Sequence, residues 1–284
     1  MDGFIFLDKK EGMTSTQEGG KVKHLFHTKR VGHVGTLDPF ATGLLILGVN
    51  KATKAITFFD DFTKEYVATI KLGTATDSMD LTGKTIIKKD IPNLTSEIIK
   101  FNLSTFLGKS KQLPPMTSAI HVDGVKLYKL AHQGKVVDRP LRDIEVFEIE
   151  LLSFKDDEIT FRTLVSKGTY IRVLASDIAE KLKTVGHLIA LRRTKVGPFK
   201  VEDAIKDENV SDSSLKSTSG VLKEFCDVIS FDSKKIEDIK NGRVKNLVHK
   251  GAYDKLLVVD SSDNAIAMYL KNGQDNYEFA RGLF

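Results

Sequence analysis

Asp38 stands between Leu37 and Pro39 in GHVGTLDPFATG, residues 32–43, a stretch with three glycines that follows the basic residues Lys21, Lys23, Lys29 and Arg30. A carboxylate placed there has no evident packing duty. Ionised, it can attack a carbon atom or take a proton. The same dipeptide also suits a plain Asp-Pro turn, with the carboxylate accepting backbone hydrogen bonds. A second segment, SKGTYIR at 166–172, has Gly168 where the chain turns into a helix, which presents Tyr170 and Arg172 near its start. By itself this is also a strand-to-helix connection with a snorkelling arginine. Other chemistries lack their parts: there is no Gly-x-Gly-x-x-Gly after a strand, no Walker loop and no His-Glu-x-x-His. His24 and His27 have ligand-like spacing but no partner cluster, and read as ordinary helix residues.

The elements that must carry these residues follow from periodicity. GFIFLD, bounded by Gly3 and Gly12, predicts a short N-terminal strand. Thr14 or Ser15 is placed to cap a helix running to about His27. From Arg30 to Gly43 no period holds, which predicts a loop, and LLILGV after it predicts a buried strand. Tyr66, Ala68, Ile70 and Leu72 share one face of a strand that stops at Gly73. Ser96 to Leu107 has helical spacing, and Ala119 to Tyr128, broken by Asp123-Gly124, predicts a hairpin leading into a short helix. Ile144 to Leu152 and Ile159 to Val165 alternate as strands, and Tyr170 to Leu182 has helical spacing. The class is mixed α and β without βαβ regularity.

Between about Glu202 and Lys223 the composition turns to Ser, Asp, Lys and Asn, which predicts a linker. Beyond it, LLVVDSSDNAIAMYL predicts a hairpin and YEFARGLF an edge strand, so residues 224–284 read as a small β-rich unit. The 284 residues suffice for a large domain plus a small one. No apolar run approaches the roughly 20 residues of a membrane helix, so no membrane partner is expected. MDGFIFLDKK has neither a basic leader nor a cleavage site, and Cys226, the one cysteine, excludes an internal disulfide and multi-cysteine zinc sites. A reducing cytoplasm is the expected location. The net charge of +5 is modest, but it is clustered. Lys21 to Leu37 contains no acid; Arg192, Arg193, Lys195 and Lys200 fall in another acid-free stretch; a third cluster, Lys234 to Lys250, is diluted by Glu237 and Asp238. Such patches suit a polyphosphate partner, and equally a solvated surface.

Four separated segments, in order along the chain, together resemble the TruB family of pseudouridine synthases over residues 4–200. GHVGTLDPFATGLL is similar to the family's signature loop, KEYVATIKLGTATDSMDLTG at 64–83 to its second motif, and SKGTYIRVLASDIA and GHLIALRRTKVGPF to the last two. The resemblance implies a pseudouridine synthase fold of α+β class, with a mainly antiparallel central sheet flanked by helices. It implies that Asp38 is the catalytic carboxylate, that Arg172 pairs with it, that Tyr66 stacks on the target base and that Tyr170 lines the pocket. His33 is then the RNA-binding and base-flipping residue, and Leu191 packs against the site. Lys9 keeps the family's opening motif, and with Gly32, Lys167, Arg192 and Arg193 it is expected to bind substrate. The substrate implied is the T-loop of tRNA at uridine 55, modified without cofactor, metal or guide RNA.

The chain departs from the family pattern at Lys10, where a proline is usual, at Thr117 for a tyrosine, at His121 for a lysine and at His132 for an arginine. The expected organisation is a catalytic domain at 1–205, a linker at 206–223 and an RNA-binding PUA-like unit at 224–284. Two other classes have specific failings. A retaining glycosidase needs a second carboxylate and an aromatic sugar groove, and there is no tryptophan. A non-catalytic RNA-binding protein or tRNA chaperone of the same fold would leave Asp38, Tyr66, Tyr170 and Arg172 without a joint purpose.

Overall fold

The computed structural model describes residues 2–116, 118, 121–122, 125–126 and 137–284. The chain divides into two compact units that do not follow sequence order: the first is Met1–Pro39, Gly43–Asp60 and Pro198–Phe284, the second Phe40–Thr42 and Asp61–Gly197.

The first unit begins with strand β1 (Gly3–Lys9), buried along nearly its whole length. Helix α1 (Ser15–Leu25) starts at Thr14 because a reciprocal capping box forms there. The Thr14 hydroxyl accepts from the Gln17 N–H at 3.1 Å, and the Gln17 amide oxygen accepts from the Thr14 N–H at 2.8 Å. Strand β2 (Val31–Val34) then pairs antiparallel with β3 (Thr42–Val49), Gly32 facing Gly48 and His33 facing Leu47. The sequence reading has this stretch as loop. It becomes a strand because the apolar β3, buried from Gly43 on, offers it a ladder, a cause that lies outside the local sequence. β1 pairs with β3 from Gly3↔Val49 to Lys9↔Gly43.

The second unit is built on an antiparallel sheet. Strand β4 (Lys64–Leu72) buries Tyr66, Ala68, Ile70 and Leu72 on one face, as alternation predicts, and leaves Val67, Thr69 and Lys71 half-buried on the other. A small hairpin, β5 (Thr74–Thr76) with β6 (Thr85–Lys88), leads to helix α2 (Ser96–Ser104), capped by Thr95. Strand β7 (Gly108–Gln112) pairs with the long β8 (Arg142–Lys155), which pairs with β9 (Glu158–Val165). Helix α3 (Ile171–Lys181) and strand β10 (Gly186–Val196) complete the unit, in the strand order β10-β4-β9-β8-β7. α3 buries Ile171, Leu174, Ala175 and Ile178, each large side chain contributing about 1.5 to 3 kcal/mol. The helix crosses so close to the sheet that a Cβ on Gly186 would lie 2.8 Å from Ala179 Cβ and 2.9 Å from Ile70 Cγ2. In the expected hairpin region, His121–Val122 pairs with Val125–Lys126, while the short helix after it, Thr117 and His132 lie outside the described residues.

The remainder belongs to the first unit again. Strand β11 (Ile205–Lys206) pairs parallel with β1, Leu7 facing Ile205. Phe4 and Lys216 exchange both backbone hydrogen bonds at 2.8 Å, and helix α4 (Thr218–Leu222) follows. The polar stretch expected as a linker is thus anchored to the N-terminal strand. A solvated composition is compatible with this because the anchoring is done by backbone. Strand β12 (Asp227–Ser230), helix α5 (Ser233–Lys240) and strands β13 (Asn246–Val248), β14 (Lys255–Val259), β15 (Ala265–Lys271) and β16 (Asn276–Gly282) form the expected β-rich part. Its strand order is β12-β14-β15-β16-β13, over a core that includes Ile236, Leu256, Val258, Tyr269 and Tyr277. β16, expected at an edge, is interior, because β13 pairs along its outer side.

Candidate active site

The backbone around Asp38 is held from both sides. Before it, the buried Ser15 hydroxyl accepts from the Leu37 N–H at 2.9 Å and reaches the Leu37 carbonyl at 3.2 Å. After it, the Pro39 carbonyl accepts from the Gly12 N–H at 2.8 Å and from Lys9 Nζ at 3.1 Å. Leu37 and Phe40 point inward, at 3 % and 5 % exposure, while Asp38 stays half-buried. A loop pinned on the residues flanking its acid fixes the main chain from which the carboxylate projects, one condition for a preorganised reacting group.

Lys9, expected to bind substrate, is 1 % exposed, and its ammonium donates to the carbonyls of Lys10, at 2.7 Å, and Pro39, which braces the loop. Gly32 is small for a packing reason, since a Cβ there would lie 2.7 Å from Ile56 Cδ1. His33, on β2, is half-buried.

In the second unit the sheet gathers several of the expected residues. Arg193 of β10 and Thr163 of β9 lie directly opposite Tyr66 of β4, and Leu191 lies opposite Ala68. Cross-strand partners project to the same side, so Tyr66, Leu191, Arg193 and Thr163 share one face. Arg193 is wholly buried and hydrogen-bonded to the Tyr66 hydroxyl. Burial pushes the guanidinium pKa down, and the charge interaction and hydrogen bond with Tyr66 oppose it. Arg193, expected to bind substrate, is buried opposite the tyrosine. The sequence reading treats a basic run as surface, and nothing local marks which of its members turns inward.

Arg172, in the first turn of α3, is 5 % exposed. Its Nη1 donates to the Ser78 carbonyl at 3.0 Å and lies 3.4 Å from Asp80 Oδ2. Asp80 is itself buried and its Oδ1 accepts from the Ser78 hydroxyl at 2.7 Å and from the Thr82 N–H at 2.9 Å. A buried pair whose remaining lone pairs are satisfied is held strongly in one geometry. Asp80 is absent from the sequence reading; it is one acid among several in a Thr/Ser-rich turn. Gln112, also missed, brackets the Tyr170 peptide, accepting from its N–H at 2.8 Å and donating to its carbonyl at 3.1 Å. Arg192 reaches the Thr42 hydroxyl at 3.5 Å and stays half-buried, while Lys167 is exposed beside Asp61.

The opposite face of the same strands carries a different network. A bulge between Arg193 and Lys195 sets both Thr194 and Lys195 beside Glu65, whose carboxylate they hold at 2.7 Å and 3.0 Å. Arg162 joins Glu65, Glu148 and Glu150 at 2.9 to 3.1 Å.

Residues 23–171 match the family model described as TruB family pseudouridylate synthase (N terminal domain), and residues 172–229 match the tRNA pseudouridylate synthase B C-terminal domain. A Francisella philomiragia protein named tRNA pseudouridine synthase B is 45% identical over 232 residues, 80% of this chain and 77% of that one. A protein of the same name from Francisella tularensis subsp. holarctica is 40% identical over 254 residues, 89% and 83% of the two chains. Among solved structures, a chain of a Cbf5-Nop10-Gar1 complex superposes with a TM-score of 0.73 at 22% identity, covering 99% of this chain and 85% of the other. That likeness bears on the fold, which is the pseudouridine synthase fold.

Proposed function

The chain belongs to the TruB family of pseudouridine synthases, and from that premise we propose that it isomerises uridine 55 in the T-loop of tRNA, with Asp38 as the catalytic carboxylate. It is an isomerase acting on RNA uridine. The reaction breaks the N-glycosidic bond, turns the base and rejoins it through carbon, a sequence in which no cofactor is required. Extruding the base costs a few kcal/mol, of which a stacking surface returns about 1 to 3 kcal/mol. Tyr66 is the stacking surface in this reading, beside Leu191. Tyr170 lines the pocket, and His33 takes the space that the flipped nucleotide leaves.

One observation carries the assignment of Asp38: both residues that flank it are fixed by backbone-directed bonds from Ser15, Gly12 and Lys9, so the main chain that bears the carboxylate is set before substrate arrives. Arg172, itself immobilised by Asp80 and Ser78, is in this reading the basic residue that serves the catalytic carboxylate. Lys167 and Arg192 contribute charge toward the phosphate backbone, the exposed Lys167 most directly. The β-rich part at 224–284 acts as an accessory RNA-binding module of PUA type. The protein works alone in the cytoplasm, without guide RNA or metal.

The test is incubation of the purified protein with an unmodified tRNA transcript and mapping of pseudouridine by position. Product at uridine 55 from protein and transcript alone is expected. Asp38→Asn is expected to fold, to bind the transcript and to lose turnover by at least about three orders of magnitude. Turnover by purified Asp38→Asn within tenfold of the parent removes the assignment; product only on addition of a guide RNA removes the stand-alone reading.

A further inference from the structure

Tyr66 has two cross-strand neighbours, and they differ in what they offer its hydroxyl. On β9, Thr163 is fully buried, but its own hydroxyl donates to the Glu148 carbonyl at 2.8 Å. On β10, Arg193 is fully buried and hydrogen-bonded to the phenol oxygen. Burying a charged guanidinium costs desolvation that its hydrogen bonds must offset, so where it is buried its partners matter. A phenol tethered at its para oxygen cannot swing about χ1, and the place of the ring is then set before any base arrives.

We propose that Arg193 is a positioning residue of the isomerisation, acting through the Tyr66 hydroxyl to hold the ring in the place that receives the flipped uracil. The inference rests on the reading of Tyr66 as a residue of the active site. It explains the register of the strand: the bulge that follows Arg193 keeps this one basic side chain on the Tyr66 face and sends Thr194 and Lys195 to Glu65 on the other. It also separates Arg193 from its neighbour Arg192, which is half-buried and reaches Thr42. The two adjacent arginines of the LRR run therefore have different duties.

A double-mutant cycle with purified full-length protein and an unmodified tRNA transcript tests this, using Arg193→Gln, Arg193→Lys, Tyr66→Phe and their combinations under single-turnover and steady-state conditions. Arg193→Gln is expected to lower kcat by about tenfold or more, the worth of a charge-assisted hydrogen bond, with KM for tRNA changed by less than about twofold. Arg193→Lys, which keeps a charged donor, is expected to recover part of that loss. In the Tyr66→Phe background the further loss from Arg193→Gln is expected to shrink to below about threefold, because the hydroxyl through which it acts is gone. Equal losses in both backgrounds, or a change confined to KM, overturn the proposal. Should Arg193→Gln not fold, Arg193→Met, which buries no polar group, is carried through the same cycle with the same two outcomes. Full turnover by Tyr66→Leu, in contrast, removes Tyr66 from the active site and so refutes the underlying reading before Arg193 is considered.

Discussion

Arg193 and Arg162 flank the same strand, β4, from its two neighbours, yet one lies on each face of the sheet. Arg162 is about one-third exposed and ringed by Glu65, Glu148 and Glu150, and its pKa is pushed above the ordinary value, first by the hydrogen bond to Glu150 and then by that to Glu65. Arg193 is sealed from solvent against the Tyr66 hydroxyl, and burial pushes its pKa down. The first arrangement is what stability favours: charge matched by charge, with water near enough to keep desolvation cheap. The second is costly for folding and makes sense where the ring it holds has a task. One sheet thus has a face organised for cohesion and a face organised for geometry, and substitutions should separate the two.

The largest contrast is expected at Arg172, on the geometry side. Arg172→Lys keeps the charge but loses the rigid guanidinium whose Nη1 meets both Ser78 and Asp80. Turnover is expected to fall about 100-fold, as a misplacement of about 1 Å would produce, while the protein remains folded by circular dichroism. Unchanged turnover would dissolve the distinction between the faces.

Glu65→Gln probes the cohesive face. It is expected to lower stability by about 1 to 3 kcal/mol in urea unfolding, with kcat within about twofold of the parent. Burial raises the Glu65 pKa, but the hydrogen bonds from Thr194, Lys195 and Arg162 outweigh it and hold the group below its ordinary 4.5. A depressed folded pKa gives stability that is present above the ordinary value and lost as pH falls through the folded one. The parent should therefore lose Tm more steeply than Glu65→Gln as the pH is lowered below about 4.5. Parallel Tm curves would show that the carboxylate is not held in this way. The smallest effect is expected for Arg162→Gln, within about 1 kcal/mol, since Thr194 and Lys195 remain on Glu65 and the lost pairs are half in water; an activity loss there larger than that of Glu65→Gln would reverse the roles of the faces.

What the sequence discloses of this molecule follows from how local each cause is. The Tyr66 face of β4, the Thr14 cap and the helix after Tyr170 are legible because period and capping act within a few residues. The β2 strand is illegible inside a glycine-rich loop, since it exists by virtue of its ladder to β3. The anchoring of the polar stretch after Lys206 is hidden for the same reason: a Ser- and Asp-rich composition says nothing of the backbone exchange between Phe4 and Lys216. At the site, the resemblance points to Asp38, Tyr66 and Arg172, but their supports, Ser15, Asp80, Gln112 and the bulge at Thr194, are visible only when distant strands are in register. The burial of Lys9 and Arg193 is hidden because a cation read from sequence is taken as solvated, whereas each is bonded to a group the linear text does not place beside it.

The first unit takes its residues from both ends of the chain and closes on β1, which finds β11 and Lys216 about two hundred positions downstream. On the ribosome, the opening strand emerges long before those neighbours are made, so this half of the molecule stays incomplete until the last third is translated. Such distant closure is slow, and the uncovered β1 edge is a place for mispairing in the meantime. Truncations that stop before Ile205 should accordingly yield aggregation-prone nascent protein, even though every residue of the uridine-handling motifs has by then been synthesised.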